Sequence, residues 1–159
     1  MIFTFINFFI ISIFGWEIKH HEMEVKIVPK NNEIEVLDTI YCEKDDLSNL
    51  SFVLNGDLNL TLLSDEFSIK SSEKIDNVKN FGINSYYDNQ KKFSLNRYEL
   101  SFLKNPDEQL SYPIAIKIKY KGKINYTIEQ SGKEYHRSFE ETPGIINENG
   151  VYLASSTFW

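Results

Sequence analysis

Pro113-Ile114-Ala115-Ile116-Lys117-Ile118-Lys119-Tyr120-Lys121-Gly122 is the stretch on which the reading of the whole chain turns. Ile114, Ile116, Ile118 and Tyr120 fall on one side of an extended backbone, and Lys117, Lys119 and Lys121 on the other. Side chains alternate across a strand with period two, so the pattern describes a strand with one face in a core and one in water. Proline at its first position costs no ladder bond. The lysines read as a solvated face, since an anionic ligand there runs against the chain's negative balance. Gly122 is expected to turn the chain, after which Ile124, Tyr126 and Ile128 alternate again.

The same period recurs toward the N-terminus. Met23, Val25 and Ile27 alternate with Glu22, Glu24 and Lys26; after the polar turn Pro29-Lys30-Asn31-Asn32, Ile34, Val36 and Ile40 resume it. Two such runs joined by turn residues predict a β-hairpin. Asp38 sits on the apolar side of the second run and is expected to be a hydrogen-bonded carboxylate at a strand end or edge, with no second acid placed to make it catalytic. Leu50 to Leu54 form another run, Asn55-Gly56-Asp57 reverse the chain through residues tolerant of positive φ, and Leu58, Leu60 and Leu62 form the return strand. Phe67 and Ile69 mark a further strand, and Ser71 to Lys92 read as a long surface excursion around Tyr86 and Tyr87. Tyr98, Leu100 and Phe102 make the next run, followed by the turn Asn105-Pro106-Asp107-Glu108. At least seven short strands without a convincing amphipathic helix predict an all-β fold, an antiparallel β-sandwich or curved saddle-like sheet.

The composition agrees. A chain of 159 residues suits one domain, or one with a short extension. Aromatic residues make up 14%, a bias toward strands and packed interfaces. The formal charge of −6 argues against a nucleic-acid partner, because phosphate binding requires clustered lysine and arginine. The single cysteine, Cys42, rules out an internal disulfide and a cysteine-based metal cluster; with no histidine nearby to activate it, it reads as a buried, inert thiol.

Ile2 to Phe14 are nearly all apolar, interrupted only by Thr4, Asn7 and Ser12. Such a run is too short to cross a hydrocarbon core of about 30 Å as a helix and matches the hydrophobic region of a secretory signal. No basic residue precedes it and no small-x-small cleavage site follows it, so a buried first strand or helix stays open as the alternative. The expected organisation is residues 1–16 as a signal-like or anchoring leader and residues 20–159 as the β domain. Export, with periplasmic, extracellular or membrane-associated residence through the leader, follows. Asn49, Asn59 and Asn125 begin Asn-x-Ser/Thr sequons that matter only in a glycosylating host.

Catalytic constellations are scarce. His20-His21-Glu22 lacks the second histidine four residues on that a zinc helix needs; Val25 stands there. His136 is solitary, and neither a phosphate-cradling glycine loop nor a Gly-x-Ser-x-Gly elbow occurs. No catalytic, cofactor-binding or metal-ligating residue is therefore assigned, and no cofactor is expected in this chain.

The most distinctive stretch is Glu140-Glu141-Thr142-Pro143-Gly144-Ile145-Ile146-Asn147-Glu148-Asn149-Gly150-Val151-Tyr152-Leu153-Ala154-Ser155-Ser156-Thr157-Phe158-Trp159. Pro143-Gly144 suits a type II turn with glycine at positive φ, and Asn149-Gly150 a second reversal into a short strand. Ending on two bulky aromatics, the chain reads as cut off. This tail resembles the N-terminal domain of aminopeptidase N-like zinc metallopeptidases (gluzincin aminopeptidases), a divergent bacterial branch in particular, through its Thr-Pro-Gly-Ile segment, its Gly-Val-Tyr-Leu strand and the aromatic pair. The opening hairpin and the unit from Phe52 to Leu58 also look like that domain, so the resemblance covers roughly Met23 to Trp159 and is specific in the tail. It implies a saddle-like, non-catalytic β domain that packs on a thermolysin-like catalytic domain and helps wall its substrate cleft. The parent would be a zinc-dependent aminopeptidase, its zinc held in the catalytic domain, because the family's zinc helix and Gly-x-Met-Glu-Asn loop have no counterpart here. Two readings compete with it. One is a self-standing extracytoplasmic β-sandwich that binds carbohydrate or protein through Tyr86 and Tyr87. The other is a hydrolase whose site leaves no motif.

Overall fold

Period-two alternation becomes strands throughout the computed structural model, which describes residues 2–6 (backbone), 20–43, 50–76, 94–104, 112–126 and 142–159. Ten strands follow one another among these residues: β1 (Ile2–Ile6), β2 (His20–Val28), β3 (Glu33–Cys42), β4 (Leu50–Asn55), β5 (Leu58–Leu62), β6 (Phe67–Ile75), β7 (Leu95–Phe102), β8 (Ile114–Lys123), β9 (Gly144–Asn147) and β10 (Gly150–Leu153). They form a five-stranded sheet in the order β1-β2-β3-β8-β5, a three-stranded sheet in the order β4-β7-β6, and the hairpin β9-β10. Every pairing is antiparallel, as the all-β reading requires.

One core joins the two larger sheets. Val36, Ile40, Ile116 and Ile118 come from the five-stranded sheet and Leu50, Leu54, Leu95 and Leu100 from the three-stranded one; all are buried. Each such aliphatic side chain contributes about 2 kcal/mol relative to exposure, so the alternation is also the principal source of stability. The other face of β8 behaves as expected of a solvated one: Lys119 Nζ lies 2.9 Å from Glu35, and Lys121 lies 3.8 Å from both Glu33 and Glu35 on β3. That partnership holds the Glu35 carboxyl below its ordinary range, with the Lys119 hydrogen bond as the largest cause.

The β2-β3 hairpin forms where its turn residues predict, with Pro29–Asn31 in a single 3-10 turn and Asn32 at φ 58° closing it. Several local expectations are corrected. Asn55-Gly56-Asp57 does not close a hairpin: β4 pairs with β7 and β5 with β8, so the turn is an arch that carries the chain from one sheet to the other. Gly56 is not in the left-handed region; it is required because a Cβ there would collide with Ser94. Gly122 does not turn the chain. It lies inside β8 between Ile34 and Leu58, where a side chain would strike the Asp57 carbonyl. Gly144 opens β9 without a positive φ, its side-chain space taken by Ile124 and Thr157. The excursion expected from Ser71 begins later, because β6 continues to Ile75 past a register shift between Ile69 and Ser71.

The first residues of the apolar leader run along the edge of the larger sheet as β1, Ile2 opposite Lys26 and Ile6 opposite Glu22. The rest of the leader, Tyr86, Tyr87, Asn49, Ile128, His136 and the turn from Asn105 to Glu108 lie outside the described residues. Among the described residues no helix is long and apolar enough to cross a membrane.

Candidate functional site

Among the described residues, a dense polar network sits where the tail meets the sandwich. Asn55, wholly buried at the end of β4, donates from Nδ2 to the Thr157 carbonyl at 2.9 Å. Its Oδ1 accepts from the Asp57 amide at 2.9 Å and lies 2.8 Å from the Tyr126 hydroxyl, which is also 2.9 Å from Asp57 Oδ2. Burial, and after it the Asp57 charge, push the Tyr126 phenol above its ordinary value. The Asn55 amide donates to the Phe158 carbonyl at 2.8 Å. Phe158 thereby keeps a left-handed φ of 53°, a conformation that costs a non-glycine residue about 1 kcal/mol.

A second set of bonds stitches the hairpin itself. Ile146 donates to the Ile124 carbonyl and Tyr126 to the Gly144 carbonyl, each at 3.0 Å, so residues 124–126 act as a third strand beside β9. Thr142 Oγ1 bonds the Tyr126 carbonyl and accepts the Gly144 amide; Thr157 Oγ1 donates to the Pro143 carbonyl, and Asn32 Nδ2 to the Ile146 carbonyl. The β9-β10 reversal is held by Asn147 Oδ1, which accepts from the amides of Asn149 and Gly150. What this scaffold presents outward is β10, with Val151 and Tyr152 46% and 45% exposed. Phe158 and Trp159 pack in part against the core. Anchored backbone and exposed apolar side chains on one short strand can make a contact surface.

The residues singled out from sequence fall elsewhere and are not brought together. Asp38 is neither at a strand end nor at an edge. It lies mid-strand on β3, the central strand of the larger sheet, only 4% exposed, with His21 Nδ1 at 3.0 and 3.1 Å from its two oxygens. A carboxylate on the core face needs a donor, and the neighbouring strand supplies one. The same carboxylate adds to burial, the larger cause, in pushing the Tyr120 phenol above its ordinary value. His20 and Glu22 point to the opposite face, beside Tyr41, whose hydroxyl donates to Glu22 at 3.0 Å. Among the described residues no three histidine, cysteine or acidic side chains converge as a metal site. Cys42 is buried.

Sequence reasoning missed Asn55, Asp57, Tyr126, Thr142 and Thr157 as a unit. Asn55 and Asp57 were legible as turn residues, but their partners lie far along the chain. The chain matches no protein-family profile, no curated protein and no solved structure. What stands is the class: an antiparallel all-β protein with a stitched C-terminal hairpin.

Proposed function

We propose that this chain is the non-catalytic β domain of an exported, aminopeptidase-like zinc metallopeptidase, which packs on a catalytic domain carried elsewhere in the parent protein and shapes its cleft. The observation that carries the reading is the coincidence of resemblance and architecture in the tail. The residues that look like the peptidase domain, Thr142 to Ile145, Gly150 to Leu153 and Phe158-Trp159, include the ones this molecule anchors with its buried polar network. A segment held so firmly while its outer strand shows Val151 and Tyr152 to solvent suits a rigid contact with a neighbouring domain. In this reading the metal and the peptide chemistry belong to the catalytic partner, and no step is assigned to this chain.

The coding frame beyond Trp159 tests this directly. A frame that continues into a Tyr-Pro step and later a His-Glu-x-x-His helix is the expected result. A stop codon directly after Trp159 in an intact gene would overturn it.

A further inference from the structure

Antiparallel pairing alternates between residues whose main chain faces the neighbour and residues whose main chain faces away. On β5 the phase is set by the Leu63 amide, which donates to the Lys117 carbonyl at 2.8 Å. Counting back along the register, Thr61 and Asn59 share bonds with Lys119 and Lys121, while Leu58, Leu60 and Leu62 turn their amides and carbonyls outward. β5 is the last strand of its sheet, and these outward groups have no hydrogen-bond partner among the described residues. The arch at Asn55–Asp57 joins β5 to β4, an edge strand of the other sheet. On β4 Ser51 and Val53 turn outward, because Gly56 donates to Ser94 and sets the phase of β4 against β7.

Natural sheets protect their edges with charges, prolines or bulges. The opposite edge of the small sheet follows this rule, since β6 carries Lys70, Glu73, Lys74 and a register shift. Neither Leu-Ser-Phe-Val-Leu-Asn of β4 nor Leu-Asn-Leu-Thr-Leu of β5 contains a charged residue. Phe52 and Val53 of β4 and Leu60 and Leu62 of β5 are only half-buried.

We infer that the β5 edge is a dimerisation edge whose occupant is β5 of a second copy of this chain. The strand is self-complementary about Leu60. Paired antiparallel across a two-fold axis, Leu60 meets Leu60, Leu58 meets Leu62, and Asn59 meets Thr61. All three outward-facing main-chain positions then fall in hydrogen-bonded pairs, and the Asn59–Thr61 pairs fall in the closer, non-hydrogen-bonded sites. Leucines lie on the core face and hydrogen-bonding side chains on the outer face, with no like charges directly opposed. An axis perpendicular to the sheet keeps both small sheets on one side. A five-residue strand buries little area, so the dimer is weak and forms with rising concentration. The pairing is independent of the peptidase reading and can fail or hold without it.

Sedimentation equilibrium of the purified chain over a wide concentration range should show reversible growth from monomer to dimer mass. Asn59→Lys combined with Thr61→Lys should abolish it, by placing lysines opposite each other beside Lys119 and Lys121. The register is read separately: Asn59→Cys and Thr61→Cys chains, mixed under a mild oxidant, should cross-link to one another far more than either does alone. This second measurement decides the matter should the lysine variant fail to fold. A monomer at every concentration overturns the inference, as does a dimer indifferent to the lysines or a mixture that shows no preference for the 59–61 link.

Discussion

The hydroxyl of Tyr126 lies 2.8 Å from the side-chain oxygen of Asn55, closing a loop of 71 residues through one buried polar contact. Asn55 is the node of the tail cap: its amide group meets the Thr157 carbonyl and its backbone N–H the Phe158 carbonyl, so one side chain and its own backbone tie the arch between the sheets to the end of the chain. Asn55→Ala leaves the Asp57 amide and the Thr157 carbonyl short of a partner and takes one of two acceptors from the Tyr126 hydroxyl. The expected loss of stability is about 3 kcal/mol, measured by urea denaturation. Tyr126→Phe, which removes a single hydroxyl, should cost clearly less; equal losses would mean that the network does not centre on Asn55.

Alkaline pH should loosen the same region. The Tyr126 and Tyr120 phenols are both raised in the folded state, chiefly by burial and then by Asp57 and Asp38 respectively. In the unfolded chain a tyrosine releases its proton near pH 10, so above that point the unfolded state binds fewer protons than the native one and stability falls as pH rises. Below about pH 9 these two groups contribute no slope. Denaturation midpoints measured across pH 8 to ~11 should decline at the upper end, and the decline should be shallower in Tyr126→Phe.

His21 and Asp38 should behave as a coupled pair. Removing either partner, as in Asp38→Ala or His21→Ala, strands the other on the core side of the sheet and should cost about 3 kcal/mol. Replacing both, Asp38→Leu with His21→Leu, should recover much of that loss, because apolar groups on this face leave nothing unpaired. A double-mutant cycle in urea reads the coupling; strictly additive losses would show that the 3.0 Å contact is energetically idle.

The glycines separate packing from turn-making. Gly122→Ala drives a methyl into the Asp57 carbonyl and should destabilise by more than ~3 kcal/mol, whereas Gly150→Ala meets nothing within 4 Å and should stay within about 0.5 kcal/mol of the parent. Thermal melts of the two variants distinguish them; a neutral Gly122→Ala would mean that β8 and the arch do not approach so closely.

Cys42 should be invisible to thiol reagents in the native protein and react fully once unfolded, since its residue is 1% exposed. Titration with a chromogenic disulfide, with and without denaturant, checks this. Rapid native reaction would show that this part of β3 opens easily.

Alternation by itself established that the runs at 23–27, 34–40, 50–54, 58–62, 98–102 and 114–120 build strands, which face of β8 enters the core, and that Pro29 to Asn32 closes a hairpin, because period two and turn chemistry are properties of neighbouring residues. Partner choice was not written locally. Asn55-Gly56-Asp57 serves equally for a hairpin or an arch, and only the core beneath Leu54 and Leu58 sends the strands on either side into different sheets. Gly122 and Gly144 look like turn residues until the backbone or side chains of distant segments fill the space beside them. Asp38 looks like an edge carboxylate until His21 is found across the ladder. Hydrophobic pattern is short-range information and decides strand and face; register, sheet membership and the polar network of the tail arise from contacts between residues far apart in the chain, which only the packed structure brings together.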